Sequence, residues 1–183
     1  MGEIKKIPAV LLIIAAFSHS RALLAEAKER ATAHFGPLYK ESPEFSVDEF
    51  THYYEKEMGL DLIKQLWCFE NLVDPGELAS IKVMTNSWES DFPAESGAQR
   101  PVNLDPGYID LGKLILASTK DHAHRIYLQQ GIFAETTLMY RHKQWQSLAW
   151  TYPDYQSPGY LAFLTDCREY LHRKRVLAMN ESP

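Results

Sequence analysis

Ala9-Val10-Leu11-Leu12-Ile13-Ile14-Ala15-Ala16-Phe17 is the stretch on which the reading of the fold turns. Behind Lys5 and Lys6, this apolar run has the charge and length of a signal-peptide core. The residues after it argue otherwise. Ser18-His19-Ser20-Arg21 offers no Ala-x-Ala cleavage site, and Ser20 is placed to cap a helix that begins at once. Leu23, Leu24, Ala27, Ala31 and Phe35 then recur at helical spacing. Gly36-Pro37 closes that helix, a residue free to turn left-handed before one that cannot continue. A continuous apolar run feeding a capped amphipathic helix predicts a central strand of a βαβ unit, buried on both faces. The expectation is a cytoplasmic chain. No stretch approaches the roughly 20 apolar residues of a membrane span, so no membrane partner is expected.

The rest of the chain is read outward from that strand. At 183 residues and 45% apolar, it suits one globular domain, 1–183, with residues 7–177 structured. Leu38 to Phe45 reads as a second strand, and Val47 to Gly59 as a short helix closed by its glycine. Leu62 to Leu72 fits a strand buried on both faces or the tail of a helix, which periodicity does not separate. Asp74-Pro75-Gly76-Glu77 carries a helix cap, a proline at the first position and a capping-box acid. Leu78, Ile81, Thr85, Trp88 and Phe92 form the buried stripe of the helix behind it. Pro93 to Arg100 reads as a surface loop. Tyr108–Ser118, Ala123–Leu128, Ile132–Tyr140 and Trp145–Trp150 read as strands of a meander. Ser157-Pro158 opens a last helix, with Leu161, Leu164, Cys167 and Leu171 inward and Arg173, Lys174 and Arg175 near its end. The predicted class is α+β: a ferredoxin-like double split βαβ core with an added antiparallel β meander and a C-terminal helix.

One hairpin decides which charged side chains meet. Gln129-Gln130-Gly131 reads as a three-residue loop with glycine at the bulge position, which sets Arg125 opposite Glu135 and Tyr127 beside Phe133. His124 would then point to the other face, with Ile126, Leu128, Ile132 and Ala134.

Several strings within this chain are shared with a known family. Asn103-Leu-Asp-Pro-Gly-Tyr108, Leu116-Ala-Ser-Thr-Lys-Asp121, His124-Arg-Ile-Tyr-Leu128, Ala134-Glu135 and Trp150-Thr-Tyr-Pro-Asp-Tyr155 together resemble a prokaryotic family named domain of unknown function 4416. Tyr53-Tyr-Glu-Lys-Glu-Met-Gly59, Phe69-Glu70 and Asp74-Pro75 extend the likeness from Ala9 to Tyr170. The resemblance implies a stand-alone soluble domain and no established activity. It places His124-Arg125 within the shared motif and His122 outside it.

Composition excludes some functions. With 19 basic against 24 acidic residues, a net charge of −5 lacks the footprint of a nucleic-acid binder. Cys68 and Cys167 cannot build a disulfide framework or a four-cysteine zinc site. Gly107-Tyr-Ile-Asp-Leu-Gly-Lys-Leu114 echoes a phosphate-binding loop but ends in Leu114 where a hydroxyl must hold magnesium, and no helix is expected after it. His122-x-His124 resembles a metal-ligand pair, with Asp105, Asp121 and Glu135 as third ligands. A turn histidine and a packed strand histidine explain it more simply, and no metal site is assigned. No cofactor is read.

The densest set of ionisable groups lies in the meander. His124, Glu135 and Asp121 are the acid–base candidates, and Asp105, Lys120, Arg125, Tyr127, Tyr152 and Asp154 the ligand-binding ones. The functional expectation is a small anionic or nucleotide-like ligand, with acid–base catalysis as an option of that site. One difficulty is geometric: read as turns at opposite ends of one strand, Asp105-Pro106-Gly107 and Lys120-Asp121 would stand about 50 Å apart at roughly 3.3 Å per residue. Only a bend at Gly107 or Gly112 would bring them together. The alternative is a non-catalytic interaction module, a homodimer among its forms, using Tyr53-Tyr54, the Trp150–Tyr155 loop and an open sheet edge.

Overall fold

Val10–Ser18 (β1) is extended and buried at all nine residues. A computed structural model describes residues 2–5, 7–93 and 98–180, and in it β1 lies mid-sheet with both faces covered. It pairs antiparallel with Ile63–Val73 (β4) on one side and Val102–Asp110 (β5) on the other. Because strand side chains alternate, Leu12, Ile14 and Ala16 face one layer and Leu11, Ile13 and Ala15 the other. The first layer holds Arg21–Phe35 (α1) and Leu78–Asp91 (α3), through Leu24, Ala27, Ile81 and Trp88. The second is Pro158–Asn180 (α4), through Tyr160, Leu164, Cys167 and Leu171. Full burial of each large aliphatic side chain contributes roughly 1.5–3 kcal/mol, so this two-sided packing explains the unbroken apolar run.

The local signals are met in place. Ser20 accepts from the Leu23 N–H, and Gly36 ends α1 at φ 96°. Asp74 accepts from the Gly76 N–H at the entry to α3, whose first turn is a tight 3-10 turn over Pro75–Glu77. Of the helix read over Val47 to Gly59 only the last turn forms, Glu55–Met58 (α2), closed by Gly59 at φ 87°. The strand alternative for Leu62–Leu72 is the one realised, as β4. The predicted second strand is split: Leu38–Glu41 (β2) and Phe45–Ser46 (β3) both pair with β4. Of the loop read at Pro93–Arg100, residues 94–97 lie outside the described residues.

The chain is α+β; its described residues form four α-helices around a nine-stranded sheet ordered β2-β4-β1-β5-β6-β8-β7. Here Lys113–Ser118 is β6, Ile126–Gln129 β7 and Ile132–Arg141 β8; Gln144–Ser147 (β9) also pairs with β8. All strand pairings among the described residues are antiparallel. β1 and β2, joined through α1, flank β4, while β4 and β5, joined through α3, flank β1.

Two expectations are corrected. The long strand read at Tyr108–Ser118 is a hairpin: β5 turns at Leu111-Gly112 into β6, and Gly107 pairs with Leu116. Gly107 is not in a turn but mid-strand, where an added Cβ would stand 2.3 Å from the Ile115 carbonyl oxygen. This reversal removes the 50 Å separation between Asp105 and Lys120. In the β7–β8 hairpin Tyr127 faces Phe133, as expected, but Gln129 pairs with Ile132. The loop is therefore the two residues Gln130-Gly131, both at positive φ, and the extra residue is taken up by an irregularity at Leu128.

Candidate functional site

Three segments converge on the end of the sheet where β1 and β6 stop and β4 begins. They are the 46–54 segment before α2, the 119–125 stretch after β6, and the 150–156 loop before α4. Between them lie two adjoining cavities. The larger, about 460 Å³, has aromatic walls from Phe17, Phe50, Tyr53, Tyr54, Tyr155 and Tyr160. The smaller, about 220 Å³, is polar and reaches Lys82, Glu89, Arg100, Asn103, Arg125 and Glu135. Tyr54, Asp105, Leu116, Lys120 and Tyr152 line both.

Within the aromatic chamber the buried Lys64 of β4 donates to Asp154 Oδ2 at 2.7 Å, and its ammonium lies 4.8 Å from the Tyr155 ring centre. Burial pulls its pKa down, but Tyr155, Asp154 and Tyr160 outweigh that and hold it well above the ordinary lysine value. Lys64 therefore stays a cation. Burial pushes the Tyr155 and Tyr160 hydroxyls up and Tyr54 to about 12, Asp105 adding to the last, so these are neutral walls. Lys120 sits where the chambers meet, 4.7 Å over the Tyr53 ring and 3.3 Å from its hydroxyl. No carboxylate pairs with it among the described residues.

The polar chamber is wired to α3. Lys82 donates to the Leu104 carbonyl at 2.8 Å and to Asp105 Oδ1 at 2.9 Å, while the Asn103 amide donates to Asp105 Oδ2 at 2.7 Å. Burial opposes the Asp105 carboxylate, yet Lys82, Lys64 and Asn103 together hold its pKa below the ordinary value. Glu89 accepts the Leu104 N–H at 2.7 Å on Oε1. Burial, first, and Asp105 push its pKa up to about 7 against the pull of Lys82 and Arg100. Arg100 lies 3.9 Å from both Glu57 and Glu89, and its buried Nε has no hydrogen-bond partner among the described residues.

At the far wall, Arg125 donates to Glu135 Oε2 (2.7 Å), to Ser118 Oγ (2.7 Å) and to the Lys120 carbonyl (3.0 Å). His124 Nε2 also reaches Glu135 Oε2, at 3.2 Å, and its ring stacks 4.9 Å from Trp150. The expected separation of His124 from Arg125 therefore fails. Both precede β7, in a turn where strand alternation does not apply.

The other sequence-predicted residues separate. Asp105, Lys120 and Tyr152 line both chambers, Asp154 the aromatic one, and Arg125 and Glu135 the polar one. Asp121 is exposed and lines neither. Tyr127 is exposed on β7, 5.4 Å from Phe133, away from both cavities. β7 is an edge strand exposed at all four residues, so the apolar face expected of it, Ile126 and Leu128, lies in solvent. His122 lines the aromatic chamber; its ring is 5.8 Å from that of His124. No group of three or more His, Cys, Asp or Glu side chains is gathered as metal ligands among the described residues, and no described helix is long and apolar enough to cross a membrane.

Sequence reading missed Lys64, Lys82, Glu89 and Arg100. Three of these left a signal. Lys82 and Glu89 fall on the inward side of α3 beside Leu78 and Thr85, and Lys64 shares strand parity with Leu66 and Cys68. A charge on a core face needs a buried partner.

A family model described as domain of unknown function (DUF4416) matches residues 7–170. No curated protein and no solved structure matches the chain.

Proposed function

The chain belongs to the DUF4416 family, and from that premise, which names no activity, we propose that it binds a small anionic ligand with a flat apolar part in the two joined chambers. One observation carries this reading: Lys120 stands at their junction, packed on Tyr53 and without a carboxylate partner among the described residues. The charge balance agrees. The two chambers present Lys64, Lys82, Arg100, Lys120 and Arg125 against Asp105, Asp154, Glu89 and Glu135, a positive excess in a chain of net charge −5. Aromatic walls take the flat part by stacking, and the cations take the anion. Acid–base work by His124 and Glu135 is less favoured, since Arg125 and Thr137 already engage Glu135. On this reading residues 7–177 act as one domain, and the split order β2-β4-β1-β5 is the basis for a ferredoxin-like core.

A thermal-shift panel of aryl phosphates, aryl sulfates and nucleoside monophosphates tests it. A ligand at about 100 times its Kd stabilises by roughly 2.7 kcal/mol. The expected result is a clear shift for planar anions, lost in Lys120→Gln. Equal shifts in wild type and Lys120→Gln would remove Lys120 from the site.

The interaction-module reading has one observation in its favour: Ile126, at 72% exposed, and Tyr127, at 58%, stand on the edge strand β7. Size-exclusion chromatography with light scattering tests it, since a monomer unchanged by Ile126→Lys would count against a homodimer through this edge.

A further inference from the structure

We propose that the polar chamber is a proton-linked oxyanion site, in which the Glu89 carboxyl donates a hydrogen bond to a phosphate- or sulfate-like group held by Arg100 and Lys120. This rests on the ligand-binding reading above and names the chemistry of the charged end.

The geometry of Glu89 is the starting point. Its side chain is 8% exposed at the inner wall of the chamber, on the buried side of α3. Its two oxygens are not equivalent. Oε1 accepts the Leu104 N–H at 2.7 Å and faces the Lys82 ammonium at 3.9 Å, so it is committed as an acceptor. Oε2 makes no hydrogen bond among the described residues, and Arg100 Nη1 lies 3.9 Å from it. A proton on Glu89 therefore belongs on Oε2.

Arg100 supplies the second half. At 3.9 Å its ion pairs with Glu57 and Glu89 are longer than hydrogen bonds. The other polar contact of its guanidinium among the described residues is with Met58 Sδ at 3.8 Å, and Nε has no partner among them. A guanidinium with unused donors at a cavity wall is suited to the bidentate geometry of an oxyanion. Lys120, which no carboxylate pairs with among the described residues, lines the same chamber.

An ionised Glu89 would repel such a ligand, whereas a protonated one donates to it. The groups facing Glu89 are Lys82 on its own helix, Asp105 on β5 and Arg100 before β5, with Glu57 of α2 behind Arg100. Among them, burial and Asp105 favour the protonated form, and the pKa of about 7 leaves Glu89 divided between its two forms at neutral pH. Binding an anion then draws in a proton.

The test is calorimetric titration with phenyl sulfate, whose single charge is constant across the pH range, at about pH 6 and about pH 8.5. If only protonated Glu89 binds, the competent fraction falls from roughly 0.9 to roughly 0.03, and Kd rises roughly thirty-fold. Glu89→Gln, a permanent neutral donor, should bind at both pH values with a Kd within about threefold of the wild-type acidic value. Titrating wild type in buffers of different ionisation heat should show uptake of close to one proton near pH 8.5 and close to none near pH 6. This second measurement stands even if the variant does not fold. A wild-type Kd flat with pH, or a Glu89→Gln protein that keeps the thirty-fold slope, overturns the inference and leaves ligand binding intact. The absence of binding by phenyl sulfate and phenyl phosphate at both pH values overturns both.

Discussion

Glu135→Gln removes one charge from the pair Arg125–Glu135 while keeping the shape of the side chain. Both partners are withdrawn from water, Arg125 with 4% and Glu135 with 2% of the side chain exposed, and Nε lies 2.7 Å from Oε2. After the change the guanidinium keeps Ser118 Oγ and the Lys120 carbonyl but loses its countercharge. Breaking a buried pair from one side costs about 3–5 kcal/mol. For a chain of 183 residues, at roughly 2–4 °C per kcal/mol, that lowers Tm by about 6–20 °C. Thermal unfolding by circular dichroism and a urea titration with unchanged slope measure it. Replacing both partners by apolar groups, Arg125→Met with Glu135→Leu, should be milder than the single change, because no lone charge remains. A loss under about 1 kcal/mol for Glu135→Gln would mean the pair behaves as an exposed one, and would refute the buried-pair reasoning.

Three further outcomes follow from named contacts. Glu89 has its pKa raised by burial from 4.5 to about 7, so its contribution to stability is full below about pH 4.5 and lost as pH rises through about 7. Wild type should therefore lose about 3 kcal/mol relative to Glu89→Gln between those limits, and parallel urea-derived stability curves would contradict this. Gly107→Ala sets a Cβ 2.3 Å from the Ile115 oxygen and 2.6 Å from Leu116 Cδ2, and should cost about 1–3 kcal/mol or more; an unchanged urea midpoint would show that β5 and β6 can separate there. Cys68 and Cys167 are both buried, and burial pushes the Cys68 thiol up, so Ellman's reagent should titrate neither in the native chain and both after unfolding.

The framework was legible where one residue carries one local meaning. The Ser20 cap, Gly36, Gly59 and the apolar β1 run each specify conformation through near neighbours, and each sits where the sequence places it. The β5–β6 reversal was not, because Leu111-Gly112 carries a weak turn signal inside an otherwise strand-like run. Half of the candidate site followed from the charged segment around Lys120 and Arg125. Lys82 and Glu89 were hidden in a stripe read for its apolar members, although charges on that face required partners across the sheet. Arg100 had no pattern around it. Its place depends on long-range packing against α2 and α3, which spacing does not encode.

The central claim, a ligand site at the junction of the two chambers, is tested most directly by following backbone amide resonances while phenyl phosphate is titrated in. The account predicts saturable shifts grouped on Tyr53, Tyr54, Leu116 to Lys120 and Tyr152 to Asp154, abolished by Lys120→Gln. Shifts confined to the exposed strand Ile126–Gln129 or to α4, or no saturable shift at all, would contradict it.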